Sequence, residues 1–278
     1  MRAAVVAVVV LLAGCSGVAL GPGGESETVT PVPVPTDSGF PPGLGPSGVE
    51  DVSTLAASHA GTLDETSFTV LTNRTVRWPN GSIRSAMNVR LKLSATRNYH
   101  ADVSVYGSEG SVIFGEPPTE AEYWANDEVY LRRQEIDNRT VFSRYSTSEE
   151  YVGTWRFWLG TIALDIGPST DLRRTVGSFD TRVAGQPTVD GEQVVHITGT
   201  AVTSERFVDD QSDAFDVRNA TLHAFVTESG FVRSYYVIYE ADLPDQRTVT
   251  IRRSVRFRDV DSTTIDRPPW YDEAIADR

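Results

Sequence analysis

Residues 67–93 read SFTVLTNRTVRWPNGSIRSAMNVRLKL, and their pattern decides the fold. In both halves of this stretch apolar residues alternate with polar ones: Phe68, Val70, Val76 and Trp78, then Met87, Val89, Leu91 and Leu93. A period of two is typical of a β-strand with one buried and one wet side. Pro79, Asn80 and Gly81 separate the halves and favour a turn. The stretch therefore predicts an antiparallel hairpin with one apolar and one polar face.

The same period continues along the chain and predicts about ten strands. Tyr99–Val105 extends the first hairpin, and Asp190-Gly191 predicts a second turn between residues 186–189 and 194–202. Near the C-terminus, FVRSYYVIYEA is expected to pair with TVTIRRSVRFRDV through residues 243–247. Each of these segments has one wet side, which favours antiparallel pairing.

Two stretches have a helical period instead. Ser47 and Glu50 have the spacing of a capping box, and apolar residues follow at helical spacing up to Leu63. The second stretch, at about 149–166, has an apolar stripe and further apolar residues on its opposite side. The combination predicts an α+β class, with one large curved antiparallel sheet, a half-barrel, wrapped around two helices.

Residues 11–17, LLAGCSG, contain the only cysteine of the 278-residue chain. Residues 1–14 have one basic residue and an apolar core that is too short to span a bilayer, as in a signal peptide. Small residues before Cys15 resemble a lipobox, so we expect cleavage there and lipidation of Cys15. The alternative is a plain signal peptide with a chance cysteine. Lipidation implies a location on the extracellular face of the cell membrane.

The chain after the cysteine divides by composition. Residues 15–48 are rich in Gly, Pro, Ser and Thr and bury little apolar surface, which predicts a disordered stalk. Residues 49–278 contain no second linker and are expected to form a single β-rich domain.

The charge balance is strongly acidic. The formal net charge is −13, and Lys92 is the only lysine. An acidic surface with arginine in place of lysine is typical of halophilic proteins, although an ordinary acidic protein from a GC-rich genome would also fit. In either case the acidic balance argues against nucleic acid as a partner, because phosphates need a basic surface.

Four N-x-[ST] sequons are candidates for N-glycosylation in a secreted chain: Asn73, Asn80, Asn138 and Asn219. A glycosylated asparagine must face solvent.

The layout of strands, helices and lipobox is similar to that of LolA-like and LppX-type lipoproteins. That resemblance implies an open half-barrel with an apolar cavity for lipid. The segments SFTVLTNRTVRWPNGS, YWANDEVYLRR, DGEQVVHITGT and TTIDRPPWYDEA also resemble a family of haloarchaeal secreted lipoproteins. The second resemblance implies no biochemical role.

The sequence contains few signs of chemistry. Its four histidines are scattered without metal-ligand spacing, and His59 on an apolar helix face is interpreted as a core residue. The acidic residues of DDQSDAFD, at 209–216, lack the pattern of a calcium loop. Arg74 and Arg253 lie on apolar faces, where each would pair with a buried carboxylate or meet a polar head group. We therefore expect no enzyme activity, no cofactor and no metal.

The aromatic helix is the one candidate for ligand contact. Its two apolar sides predict a cavity lined by Trp155, Trp158, Leu159 and Ile162, on the concave side of the sheet. The functional hypothesis is an anchored lipoprotein that binds an apolar small molecule or lipid. The alternative is a cell-surface interaction or structural protein with a filled core; no protein partner is identifiable from the sequence.

The lipobox predicts that replacing Cys15 with Ser releases the protein from membranes into the medium, because the residue that carries the lipid is lost. Membrane and medium fractions of expressing cells, probed by immunoblot, measure this. Retention of Cys15→Ser in the membrane fraction would contradict lipid anchoring.

Overall fold

The computed structural model describes residues 39–110, 114–136, 139–146, 154–161, 168–205, 207 and 214–276. The strands are β1 (Leu44–Gly45), β2 (Gly48–Val49), β3 (Phe68–Arg77), β4 (Ile83–Leu93), β5 (Tyr99–Tyr106), β6 (Thr119–Ala125), β7 (Val129–Ile136), β8 (Arg139–Ser146), β9 (Phe179–Gly185), β10 (Thr188–Val189), β11 (Glu192–Val202), β12 (Phe215–Thr227), β13 (Val232–Asp242) and β14 (Thr248–Arg258). The helices are α1 (Val52–Leu63), α2 (Trp155–Thr161), α3 (Pro168–Val176) and α4 (Tyr271–Ala276). Several predictions lie outside the described residues: those on Cys15, on the stalk up to residue 38, on Asn138, on Ile162 and on residues 209–213 of the acidic segment.

Twelve strands of the described chain form one curved, unclosed antiparallel sheet. Its order is β10-β11-β12-β13-β14-β3-β4-β5-β6-β7-β8, and β9 also pairs with β11. The predicted α+β class and the large antiparallel sheet are confirmed. The hairpin of residues 67–93 is present as β3 and β4, and β13 pairs with β14 as expected.

The sheet consists of two meanders that meet at one seam, the pairing of β3 with β14. The seam joins nine consecutive residue pairs, from Thr69 with Arg258 to Arg77 with Thr250. Because β3 opens the first meander and β14 closes the second, this pairing makes one sheet of the two. The two meanders therefore share the same two faces, and a row of side chains on one face of the first meander continues on that face of the second.

The described residues form four short helices, two more than the sequence pattern predicted. Residues 155–161 of the predicted aromatic helix are helical, as α2. The additional helix α3 contains mostly polar residues, with Leu172 and Val176 as its buried apolar side chains. So short an apolar pattern gives little periodic signal. No helix in the described part of the chain has the length and apolar character needed to cross a membrane.

One face of the sheet is apolar, and α1, α2 and α3 contribute to its core. Side chains such as Phe68, Leu91 and Phe257 are almost fully buried there together with Leu55 of α1 and Leu172 of α3. Fully burying a side chain of this size contributes about 1.5–3 kcal/mol to folding. This face is the main core of the domain.

Helix α1 begins differently from the expectation. Asp51 is its N-cap, and the Asp51 carboxylate accepts hydrogen bonds from the backbone N–H groups of Ser53 and Thr54. The predicted capping box at Ser47 and Glu50 is wrong, because a carboxylate nearer the first turn satisfies these donors. Ser47 donates a hydrogen bond to the Glu50 side chain, before the helix starts.

Residues 39–49 pack on the domain, although the composition placed residues 39–48 in the stalk. Strands β1 and β2 form a small ribbon, and Leu44 belongs to the apolar core. The backbone N–H of Val49 donates a hydrogen bond to Thr181 Oγ1 of β9, 2.9 Å away. Apolar residues spaced among Gly and Pro are enough to hold this segment.

The structure confirms that His59 is a core residue. The ring is 1% exposed and lies between Phe231 and Phe257. Its Nδ1 accepts a hydrogen bond from the backbone N–H of Val232, at 3.2 Å. Burial lowers the pKa of His59 to about 3, so the ring is neutral.

Of the two alternatives for Arg253, a buried carboxylate or a polar head group, the structure shows the buried carboxylate. Its Nη2 lies 3.0 Å from Oδ1 of Asp171 in α3, and Tyr235 donates a hydrogen bond to the other oxygen. Although burial alone would lower the pKa of Arg253, its attraction to Asp171 raises it. Burial first, and then the Asp171 charge, raise the pKa of Tyr235. Asp171 thus attaches α3 to β13 and β14.

Replacing Asp171 with Asn should destabilise the domain by about 3–5 kcal/mol, because it leaves the Arg253 charge buried without a counter-charge. Urea unfolding measures the change. The control is Glu109→Gln, which removes an exposed partner of Arg84 and should have a much smaller effect. The double variant Asp171→Asn/Arg253→Met should lose less stability than Asp171→Asn alone; equal losses would contradict the ion-pair explanation.

The neutral His59 predicts a loss of stability in acid. Above about pH 6.5 neither state binds the proton, so its contribution is complete. Between about pH 6.5 and the folded-state pKa, the unfolded chain binds a proton that the folded chain does not. Stability then falls by about 1.4 kcal/mol per pH unit. In urea unfolding from about pH 6 to about pH 4, His59→Gln should show a shallower slope by this amount. His223→Gln, whose ring is more exposed, should change the slope less; parallel profiles for wild type and His59→Gln would contradict the assignment.

Candidate functional site

The face of the sheet opposite the helices contains an open groove with a volume of about 750 Å³. Eight adjacent strands, from β12 to β7, contribute to its lining. Beyond β6, Trp270 and α4 cover this same face, with a small second core around Trp124 and Leu131. The groove is the part of the face that lies next to this cover.

A row of polar side chains, short at its centre, forms the floor of the groove across the seam. Paired positions on six neighbouring strands carry Tyr236, Ser254, Asn73, Asn88, Ser104 and Glu120. Asn73 donates a hydrogen bond from Nδ2 to Asn88 Oδ1 at 2.5 Å, and Asn88 donates one to Ser104 at 3.1 Å. These short side chains leave space above the sheet, and their hydrogen bonds hold them flat across β3, β4 and β5.

Along a second row of paired positions the charges change sign, so the groove has a basic half and an acidic half. From β12 to β7 the row runs Phe225, Ser234, Arg256, Leu71, Arg90, Asp102, Glu122 and Arg133. We call the part around Arg256, Leu71 and Arg90 the basic half, and the part around Asp102 and Glu122 the acidic half.

The basic half combines unpaired cations with apolar surface. Among the described residues, no carboxylate lies within ion-pair distance of Arg90 or Arg256, and both are exposed. They flank Leu71 on the two neighbouring strands. Arg252 lies over the Tyr236 ring, 5.4 Å from its centroid. This half can therefore attract an anion and offer apolar contacts beside it.

The acidic half is already organised by hydrogen bonds. Arg133 Nη1 donates to Oε1 of Glu122 at 3.0 Å, and the indole N–H of Trp270 donates to Oε2 at 2.6 Å. His100, Asp102 and Glu122 each have a ligand atom here, all within 4.8 Å of one another. In the described part of the chain they form the one such group of three or more potential metal ligands. The sequence-based search for histidine motifs missed the group, because its members lie on two strands.

Two of the residues predicted to line a helix cavity, Trp155 and Trp158, pack into the core on the other, apolar face. Trp158 is 3% exposed, and its ring contacts Tyr99, Phe114, Tyr123 and Phe157. Trp155 is half-buried and lies under the guanidinium of Arg97. The side chain of Leu159 and the whole of Ile162 lie outside the described residues. The described part of α2 thus contributes an aromatic cluster, and burial raises the pKa of Tyr99 in it to about 12.

Three sequon asparagines lie in the described chain. Asn80 and Asn219 are exposed. Asn73 is half-buried in the groove floor, and its Nδ2, the atom that would carry a glycan, is the donor to Asn88. A glycan on Asn73 would occupy the groove.

Two histidines meet on the same face at the edge of the groove. His196 Nε2 and His223 Nδ1 are 2.9 Å apart, and their rings stack between Phe225 and Tyr236. Burial lowers the pKa of both rings. Pairing of β11 with β12 creates this contact, which the separate positions in the sequence do not reveal.

Comparison with known proteins adds a family and several distant structures. A family model described as "Family of unknown function (DUF7537)" matches residues 1–274. No curated protein sequence matches the chain. Among solved structures, LprF from Mycobacterium bovis is similar at 10% identity and a TM-score of 0.41, covering 80% of this chain and 99% of that one.

Two further structures are similar at lower scores. A DUF1329 family protein from Desulfovibrio piger ATCC 29098 has 10% identity and a TM-score of 0.28, with 81% and 97% covered. A putative outer membrane lipoprotein-sorting protein domain from Vibrio parahaemolyticus has 7% identity and a TM-score of 0.25, with 79% and 96% covered.

Proposed function

The chain belongs to DUF7537, a family of unknown function, and we propose that it binds an anionic amphiphile in the groove while a lipid on Cys15 holds it at the extracellular face of the membrane. An anionic amphiphile here means a molecule with a carboxylate or phosphate head and an apolar body. In this proposal residues 1–14 are the signal peptide, and the residues after Cys15 up to the described domain are the tether.

The observation that carries the proposal is the pair Arg90 and Arg256 on either side of Leu71. In a chain with a net charge of −13, cations normally find carboxylate partners at the surface. Neither guanidinium does so in the described chain, and both belong to the lining of the groove. Arginine forms two parallel hydrogen bonds to a carboxylate or phosphate, so two such groups suit one anionic head.

The size and walls of the groove suit a small amphiphile. Its 750 Å³ lies within the roughly 300–1,000 Å³ typical of small-molecule sites. Leu71, Phe225 and Tyr236 supply apolar surface next to the arginines. An apolar body on these side chains and an anionic head on the arginines would satisfy both kinds of surface.

We assign the ligand to the groove in preference to the predicted helix cavity. The ring of Trp158 already contacts four aromatic rings of the protein. A ligand there would have to displace these contacts, whereas the groove is open in the described structure.

The proposal predicts that a dansyl-labelled fatty acid binds the purified protein and that the double variant Arg90→Gln/Arg256→Gln weakens binding about tenfold or more. Each lost charge-assisted contact to a carboxylate contributes about 1.5–3 kcal/mol, which supports a change of this size. Fluorescence titration at one fixed salt concentration measures it, because salt screens exposed charges. The alcohol with the same label and chain should bind the wild type more weakly than the acid.

The matched control is Arg258→Gln. Arg258 lies on the same strand and face as Arg256 but outside the groove lining, so this variant should bind the acid as the wild type does. A dialkyl phosphate in competition identifies which anionic head binds better. Equal affinity of the double variant and the wild type, or no binding by either, would contradict the proposal and favour the alternative of a cell-surface interaction protein.

A further inference from the structure

Three side chains at the acidic half of the groove have the arrangement of metal ligands. His100 and Asp102 lie two residues apart on the same face of β5, and Glu122 is paired directly opposite Asp102 on β6. His100 Nε2 is 3.5 Å from Oε2 of Glu122 and 3.7 Å from Oδ1 of Asp102. A tetrahedral ion with bonds of about 2.0–2.2 Å separates its ligand atoms by about 3.3–3.6 Å. The two separations from His100 are therefore close to those around a bound ion, and all three ligand atoms lie within 4.8 Å of one another.

The histidine has an unsatisfied atom at the centre of this group. His100 Nε2 is buried and forms no hydrogen bond with any described residue. Buried polar atoms without a partner are uncommon in folded proteins and cost free energy. A metal ion bound to Nε2 would satisfy this atom, since neutral imidazole nitrogen is a preferred ligand of zinc and its neighbours in the first transition row.

A positive charge between the two carboxylates would also be favourable. Asp102 and Glu122 occupy directly opposed positions on neighbouring strands, where like charges repel. Arg133 compensates Glu122 and also pairs with Glu135, and among the described residues it forms no ion pair with Asp102. The Arg133 guanidinium, shared between Glu122 and Glu135, leaves repulsion between Asp102 and Glu122. One divalent ion between these two carboxylates would remove it.

Glu122 has the supporting contacts typical of a ligand that is held in place. The Trp270 indole N–H and the Arg133 guanidinium each donate to one of its oxygens. Trp270 is itself packed against Phe142. Hydrogen bonds of this kind orient the residues that coordinate a metal, and their loss changes metal affinity about 10–100-fold.

We propose that His100, Asp102 and Glu122 bind one divalent transition-metal ion, with Zn²⁺ as the best fit. One imidazole and two carboxylates favour this class over Ca²⁺ or Mg²⁺, which prefer all-oxygen sites with six or more ligands. Three protein ligands leave a fourth position for water. The site shares no ligand residue with the pair Arg90 and Arg256, so it can be present whether or not an amphiphile binds.

The test uses full-length mature protein purified without a histidine tag and stripped of metal with EDTA. Isothermal titration with Zn²⁺ should show one ion per chain. His100→Gln and Asp102→Asn should each weaken Zn²⁺ binding about tenfold or more. Co²⁺ titration adds a spectroscopic measurement, because its visible bands report the ligand geometry and should change in His100→Gln and disappear on adding Zn²⁺.

Two controls separate this site from others. Glu120→Gln changes a carboxylate on the same strand and face that is outside the group, and it should bind Zn²⁺ as the wild type does. The double variant His196→Gln/His223→Gln removes the two histidines that contact each other elsewhere on this face, and it should also keep full Zn²⁺ affinity. Circular dichroism and thermal unfolding without metal verify that each variant is folded. Three results would each overturn the assignment: no stoichiometric Zn²⁺ binding by the wild type, unchanged Zn²⁺ affinity in His100→Gln, or loss of Zn²⁺ binding in the His196/His223 variant. A fatty-acid titration of His100→Gln shows separately whether the basic half binds its ligand.

Discussion

The pairing of β3 with β14 is the constraint on which both faces of the sheet depend. It joins Thr69 to Arg258, positions that are 189 residues apart. On the apolar face the same register sets Arg74 directly opposite Arg253. Two guanidinium groups at opposed positions of an apolar surface need negative charge. Asp171 provides it for Arg253 and so attaches α3 to β14, one of the two strands of the seam.

Local pattern was sufficient to predict the strands of residues 67–105 and the last two strands of the sheet, because each has one apolar and one wet side, but it did not identify β6, β7 or β8. The period of two in residues 67–93 identified β3, β4 and the turn between them, and the spacing near the C-terminus identified β13 and β14. Pattern was insufficient for α3, whose two buried apolar residues are too few for a periodic signal. It was also insufficient at residues 39–48, where composition resembles a linker but Leu44 reaches the core.

The candidate site was hidden from the sequence for a different reason. Alternation assigns a residue to a face, but it does not say which strands are neighbours or in which register they pair. Asn73, Asn88 and Ser104 occupy polar positions of three strands, and only the register places them in one row. His100 and Glu122 likewise meet because β5 pairs with β6. The Trp-rich helix was the strongest local signal of a ligand, and the ring of Trp158 in it contacts other rings of the protein.

Asp102 connects the two halves of the groove. Its paired neighbours are Arg90 on one side and Glu122 on the other, so an ion pair with Arg90 would be the simplest arrangement. The structure instead places Asp102 Oδ1 within 3.7 Å of His100, and Arg90 has no carboxylate within ion-pair distance among the described residues. The orientation of one carboxylate thus leaves a cation unpaired on one side and completes a set of three ligands on the other. A cation bound to that set would hold Asp102 away from Arg90, and so keep the basic half available for an anion.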